Sequence, residues 1–512
     1  MRFLLPDGHD QLESLKHAIV AQGQFVYAGP RQFDEHIFDT ADFALFRRGQ
    51  ACCLRESLAQ GELSLVGIDA LGRPQTQTPP LQQAWPQPAV PAMFSAQQWP
   101  AGEVREQVLS LVGATPLVRQ GRLRTVRQIY ASPDQPALPV LWLDRAVVLD
   151  ASSNEVRERF LSVSYLRGAA PDAEFERLHR HLLSAFALRP LMQGMYSRCL
   201  RVSGRLLHLY QARCFRSLAS AETYAQLLER FTGNQLALLQ YWRDVAAEGV
   251  DPRGVHQMRV AIRRIRSALR TSRDYLEAGT YDQLQAELRW LGQRLGAVRE
   301  LDVLMGWLQT EPFSDQAGDM AAYWEADLRL LREQAQRTLA SALAGERVAG
   351  LEERLTAALT QDARLAKKSR THAPGKIATR IIRKTVKQTA QATRELDGDC
   401  PPEALHALRI EYKRLRYTLD FLASAGGAEP RQLRKTCKKV QKILGRHQDL
   451  HDRAERIRRY AGSPAAMAHG QEFVFFLGGL FQSQMQAMQA CREAFFASRE
   501  HFLTQLQDAL SD

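Results

Sequence analysis

Two stretches of this sequence set histidine and arginine at spacings suited to gripping an anion. One is VHQMRVAIRRIRSALR, Val255–Arg270, and the other is LHALRIEYKRLRYTLD, Leu405–Asp420. They align without gaps at an offset of 150 residues. His256 meets His406, Arg259 meets Arg409, Arg263 meets Lys413, Arg264 meets Arg414 and Arg266 meets Arg416. Further on, LGAVRELD from Leu295 matches LGRHQDLH from Leu444 at an offset of 149. Two matches in the same order indicate an internal duplication.

On an α-helix, at about 100° per residue, Arg259, Arg263, Arg266 and Arg270 fall within about 60° of one another, with His256 at their edge. Met258, Ile262, Ile265 and Leu269 form an apolar stripe about 100° further round. In the second copy His406, Arg409, Lys413 and Arg416 repeat the basic stripe, and Leu408, Tyr412, Leu415 and Leu419 the apolar one. The basic stripe flanks the core stripe, so its side chains are expected to line a groove or a seam between helices. Arg264 and Arg414 fall off it and are expected to be solvated or salt-bridged. Like charges on one helix face repel by about a few tenths of a kcal/mol per pair. Few acids share this face in the first copy, so an external anion is the simplest compensation. Arginine forks match phosphate oxygens in pairs, and a protonated histidine adds a donor. A single basic run is usually a solvated face, and a single histidine usually structural. The doubling of the whole pattern is what favours a ligand. Arg299 and Asp302, with Gln448 and His451 as their counterparts, read as helix-to-helix contacts.

Two further helices are basic. KIATRIIRKTVKQ places Lys376, Arg380, Arg383, Lys384 and Lys387 on one broad face, against Ile377, Ile381, Ile382 and Val386. LRKTCKKVQKIL carries Arg434, Lys435, Lys438, Lys439 and Lys442, and Arg446 and His447 follow where Gly445 marks an expected helix end.

The elements that must hold these residues change character near Arg201. Beyond it prolines are sparse and 3.6-residue periodicity dominates. Roughly ten helices are expected, broken at Gly249–Pro252, Gly279, Gly345–Gly350 and Gly462–Pro464 among other sites, as all-α bundles. The first part reads as mixed α/β. MRFLL, DEHIFDT, ACCLRES, GELSLVGID, RLRTVRQIYAS, LPVLWLDRAVVLD and RERFLSVSYLRG are strand-like, with helices near Gln11–Gln22 and Asp172–Phe186. The Pro/Gln-rich stretch Gly72–Gly102 is expected to be an irregular connection. Sequential strands imply an antiparallel, barrel-like sheet. The fold class is therefore α+β multidomain: residues 1–200, then 201–512 with repeats at about 222–345 and 370–512.

Charge follows the same division. Of 68 Lys and Arg and 56 Asp and Glu, the first 200 residues hold 20 of each, leaving the whole excess of +12 in residues 201–512. That asymmetry points the second part at an anionic partner. Seven scattered cysteines give no zinc or redox spacing, which suggests reduced thiols and a cytoplasmic location. The N-terminal apolar run is too short for a signal peptide. FVFFLGGLF, from Phe473, is about half a membrane span and reads as a core helix.

With these residues in view, the stretch from about Glu222 onward resembles the CHAD family, the conserved histidine α-helical domain, through the doubled His-x-x-Arg helices and both LG-x-x-x-[DE]-L segments. The resemblance implies an all-α fold of two pseudo-symmetric bundles that binds inorganic polyphosphate in a basic groove, and association with polyphosphate granules. By motif position that role falls on His256, Arg259, Arg263, Arg266, His406, Arg409, Lys413 and Arg416. Arg270 continues the first stripe, Lys376, Arg380, Lys384 and Lys387 join by analogy, and Lys439 and Arg446 complete the set.

The first part resembles a CYTH domain of the triphosphate tunnel metalloenzyme type, through HIFDTADFALFRRGQACCLRE, His36–Glu56, and RPLMQGMYSRCL. Active members carry a Glu-x-Glu-x-Lys strand, where this sequence has MRFLLPDG, and acids on a later strand, where it has Ser162 and Ser164. Metal-assisted hydrolysis needs oxygen ligands to hold the ion. No metal or cofactor and no triphosphatase activity are expected. Arg55, Arg122, Arg124 and Arg127 read equally as phosphate contacts or structural salt bridges.

The leading expectation is thus a non-catalytic polyphosphate-binding protein. The alternatives are a metal-dependent inorganic triphosphatase and a nucleic-acid binder. The last is disfavoured because single-strand binders interleave aromatics with basic residues, and the basic stripes have none.

Overall fold

The computed structural model describes residues 2–511 apart from 6–7, 24, 58–60, 76–79, 86–89, 91, 133–134, 152, 154, 166–176, 179, 183–184, 187, 192–193, 277–278, 312–314, 361–369 and 423–430. The chain packs as two compact units. One is Met1–Phe215 with Gln240–Val255, and the other is Arg216–Leu239 with His256–Asp512.

The first unit is built on an antiparallel sheet. Its strands are β1 (Arg2–Leu5), β2 (Val26–Thr40), β3 (Gln50–Ser57), β4 (Gly61–Gly67), β5 (Leu81–Trp85), β6 (Met93–Phe94), β7 (Leu117–Ser132), β8 (Gln135–Leu149), β9 (Val156–Tyr165) and β10 (Arg189–Pro190). Their order is β10-β1-β9-β8-β7-β2-β3-β4-β5, with β6 paired to β7. Helices α1 (Gly8–Gly23), α2 (Ala44–Arg47), α3 (Glu103–Val112), α4 (Met195–Val202) and α5 (Arg205–Cys214) accompany it. Alternation along the strands buries one side. Leu141, Leu143, Leu161 and Val163 pack with Leu12, Leu15 and Ile19 of α1.

The turn after β2 is fixed by buried Asp39. Its carboxylate accepts from the backbone N–H groups of Thr40 (2.7 Å), Leu45 (2.9 Å) and Phe46 (2.9 Å) and from the Tyr196 hydroxyl (3.2 Å). The Gly72–Gly102 stretch is more regular than its prolines suggest, since β5 pairs with β4 and β6 with β7. Its prolines fall outside the two strands. The helix expected near Asp172–Phe186 lies largely outside the described residues.

The second unit is helical: the first part of α6 (Tyr224–Glu248), then α7 (Pro252–Thr271), α8 (Thr280–Thr310), α9 (Asp315–Ala344), α10 (Glu346–Thr360), α11 (Pro374–Arg394), α12 (Pro402–Leu422), α13 (Arg431–Ala461), α14 (Pro464–Ala468) and α15 (Gln471–Ser511). Proline opens α7, α11, α12 and α14, where its missing N–H and fixed φ are harmless. The apolar stripes of the two repeats are buried: Met258, Ile262, Ile265 and Leu269 on α7, and Leu408, Tyr412, Leu415 and Leu419 on α12. Gly445 does not end its helix. α13 runs on to Ala461 because Leu444, Leu450, Ala454 and Ile457 carry the buried face past it. Gly350 likewise lies inside α10. In FVFFLGGLF, Phe473 and Leu477 are core residues of α15, whereas Phe475 is 86% exposed.

Candidate functional site

Four helices of the second unit enclose a cleft of about 710 Å³. α7 supplies His256, Arg259 and Arg263; α8 supplies Arg299, Glu300, Val303 and Leu304; α12 supplies Arg409 and Lys413. α13 supplies Asp449, Asp452, Arg453, Glu455, Arg456 and Arg459. The duplicated helices therefore face one space, because each basic stripe lies beside a core stripe rather than opposite it. Glu300 ties α8 to α13 by accepting from Arg456 at 2.6 Å.

Glycine helps position one arginine. A Cβ at Gly296 of α8 would stand 2.7 Å from Nη1 of Arg259. The bare backbone there lets the guanidinium lie against α8. Arg263 has its guanidinium carbon 5.4 Å from the ring centre of Tyr417, and Arg416 reaches the same ring at 5.7 Å.

The electrostatics are those of crowded cations. Arg259, Arg263, Arg299, Arg409 and Lys413 make no ion pair among the described residues. The Nε atoms of Arg263 and Arg409 are buried and have no hydrogen-bond partner among those residues. Burial, then Arg409 and Arg263, pushes the Lys413 ammonium down to about 8. Burial, then Arg299, Arg263 and Arg259, holds the His256 imidazolium below the ordinary histidine range. Burial also lowers Arg259 and Arg409, opposed by Glu300 for the first and by Asp449 and Asp452 for the second. Burial raises the Asp449 carboxyl.

The remaining residues singled out in the sequence lie elsewhere. Arg270, Arg380 and Lys384 line a second cleft of about 690 Å³, with Arg273, Tyr275, Tyr281 and Arg414. Arg266 donates to Gln285 at 3.1 Å, Arg416 to Gln441 at 2.7 Å, and His406 meets the Gln448 side chain. These three are absent from the linings of both clefts. Lys376, Lys387, Lys439 and Arg446 are exposed and also outside both linings. Arg264 reaches Gln235 at 3.5 Å and Arg414 pairs with Glu411 at 3.8 Å. Asp302 is a helix contact, held by Arg332 at 2.8 Å. Arg299, expected as another, lines the first cleft instead. Arg453, Arg456 and Arg459 are not singled out by the duplication, although their three-residue spacing in DRAERIRR puts them on adjoining positions of one helix face.

In the first unit the arginines singled out in the sequence are matched internally. Arg55 pairs with Glu35 at 2.7 Å, Arg124 with Asp34 at 3.0 Å, Arg122 also with Asp34, and Arg127 with Asp144 at 2.7 Å. Arg198 and Arg201 hold Glu158 at 2.9 and 3.1 Å. Ser162 and Ser164 are buried on β9 opposite Leu4 and Arg2. Among the described residues no group of three or more His, Cys, Asp or Glu side chains is placed to hold a metal ion.

The chain is similar to several known proteins. An uncharacterized protein of Mycobacterium tuberculosis is 31% identical over 282 residues, which are 54% of this chain and 52% of that protein. The chain spans about half the length of the curated relatives it matches. The crystal structure of the CHAD domain from the plant Ricinus communis is similar at 27% identity, covering 55% of this chain and 96% of that one, with a TM-score of 0.46. A Hippeastrum protein described as a candidate adenylyl cyclase with a dominant triphosphatase activity is similar at 15% identity, over 41% of this chain and 97% of that one, with a TM-score of 0.28. The CHAD domain family profile matches residues 230–458. That segment, which supplies every lining residue of the first cleft except Arg459, is a CHAD domain.

Proposed function

We propose that the protein binds inorganic polyphosphate, without catalysis, in the cleft shared by α7, α8, α12 and α13. The observation that carries this is the set of five crowded cations drawn from both repeats, Arg259, Arg263, Arg299, Arg409 and Lys413, which make no ion pair among the described residues. Each repels the others and is partly stripped of water, so the cleft is stabilised by an anion that touches several at once. A phosphate chain offers closely spaced charges, and arginine forks take its oxygens in pairs. Among the described residues the lining has no Phe, Tyr or Trp, which suits a ligand without bases. Among the described residues its four carboxylates, Glu300, Asp449, Asp452 and Glu455, soften the field, while counterion release at the cation–phosphate contacts makes binding salt-sensitive.

A fluorescence or calorimetric titration with long-chain polyphosphate at several salt concentrations tests this. Arg259→Ala combined with Arg409→Ala should weaken binding by at least about a hundredfold, at roughly 1.5–3 kcal/mol for each charge-assisted hydrogen bond removed. By analogy with single-stranded nucleic acid, the log–log salt slope should flatten by about 0.7 for each phosphate no longer engaged. Unchanged affinity and slope in the double variant would remove the cleft from consideration. Residence on polyphosphate granules follows from the same chemistry and is checked by imaging the same variant in cells.

A further inference from the structure

We infer that the second cleft is a separate site for a nucleoside polyphosphate, with the phosphates on Arg270, Arg380 and Lys384 and the base against Tyr281. The cleft is formed by the last turn of α7, the segment that follows it, the start of α8, and one face of α11. Arg380 and Lys384 stand one turn apart on α11, and Arg270 closes the end of α7. All three are exposed and make no ion pair among the described residues. These cations supply a phosphate subsite with no ion-pair partner among the described residues.

What separates this cleft from the first is its rings. Tyr275 and Tyr281 line it, whereas the first cleft has no Phe, Tyr or Trp in its lining. The Arg273 guanidinium carbon lies 5.1 Å from the Tyr281 ring centre, so ring and cation already stack as a cation–π pair. A planar base can extend such a stack, and a bare phosphate chain gains nothing from it. Asp274, the single carboxylate in the lining, is an acceptor for a sugar hydroxyl. The volume of about 690 Å³ falls in the range of small-ligand sites, about 300–1,000 Å³. The two clefts share no lining residue, so this inference does not depend on the polyphosphate reading.

The test is calorimetry with ATP and with tripolyphosphate, both without metal, on the full chain carrying Arg259→Ala and Arg409→Ala, so that the first cleft does not contribute to the tripolyphosphate signal. Tripolyphosphate packs at least as much charge into less length but has no ring. ATP should bind at least tenfold more tightly than tripolyphosphate. Arg380→Gln with Lys384→Gln, both on an exposed helix face, should abolish ATP binding. Tyr281→Leu should weaken ATP about tenfold and leave tripolyphosphate unchanged. Arg259→Ala with Arg409→Ala should leave ATP binding intact. The inference fails if tripolyphosphate equals ATP, or if ATP does not bind. It also fails if the first-cleft variant no longer binds ATP, or if Tyr281→Leu, with circular dichroism and melting unchanged, binds ATP normally.

Discussion

Burial first, and then the charges of Arg409 one helical turn away and of Arg263 and Arg259, hold the Lys413 ammonium down to about 8. At pH 8 it carries about half a proton's charge on average, and an arriving anion restores the rest. Polyphosphate binding at pH 8 should therefore take up as much as about half a proton at this residue. The measurement is the binding enthalpy in buffers of different ionisation enthalpy, compared with Lys413→Gln. Equal proton uptake in the two proteins would contradict the assignment. The sign for stability follows from the same depression. The folded value lies below the unfolded lysine's 10.5. The unfolded chain thus holds the extra proton between about pH 8 and 10.5. The penalty of charged Lys413 is full below pH 8 and fades as pH rises through that window.

Gly296 makes a complementary case at the same scale. Adding a methyl in a helix interior favours folding by about 0.5–1 kcal/mol. Here it would also push the Arg259 guanidinium off α8. Gly296→Ala should leave the melting temperature unchanged or higher and weaken polyphosphate binding several-fold. Thermal denaturation and titration of one preparation decide it, and undiminished affinity counts against Arg259 as a ligand group.

At the scale of the element, the pair of arginine helices is legible in the sequence. Charge and apolar residues sharing adjacent stripes of α7 and α12 leave little choice of orientation, and the apolar stripes are buried as their spacing requires. The acids and arginines of α13 are not legible in the same way. One helix cannot announce which neighbour it will face, and Asp449 and Asp452 matter only because α13 packs beside α12. Glycine is also a misleading sign of a helix end here, since Gly445 and Gly350 sit inside helices whose apolar periodicity continues. The buried threonines of α11 show another signal that periodicity alone misses. Thr385, Thr389 and Thr393 each donate to the carbonyl four residues back, at 2.8, 3.0 and 2.7 Å. Thr393 Oγ1 also lies 3.1 Å from the buried Tyr412 hydroxyl. Thr393→Val should destabilise the protein by about 1–3 kcal/mol by leaving that hydroxyl without its partner. Urea denaturation measures it, and a change below about 0.5 kcal/mol would mean the hydroxyl finds another acceptor.

Across the whole molecule, charge is handled in two ways. The first unit sets many of its arginines against its own carboxylates, as in Arg127 with Asp144 or Arg198 with Glu158. Carboxylates engaged in that way are poor candidates for a divalent cation. With magnesium or manganese the protein should release no phosphate from tripolyphosphate, and a colourimetric phosphate assay checks this. Turnover abolished by substitutions in residues 1–200 would establish an enzyme in the first unit. The second unit instead leaves a group of cations without ion-pair partners among the described residues. Among those residues no helix is long and apolar enough to cross a membrane.

One aromatic ring carries a consequence for the ancestry of this protein. Tyr417 serves guanidinium groups from both repeats, yet the residue 150 positions earlier, Ser267, has no ring to offer. A homodimer of two first halves would lack that shared platform, and a homodimer of two second halves would contain it twice. The halves have thus become complementary rather than interchangeable.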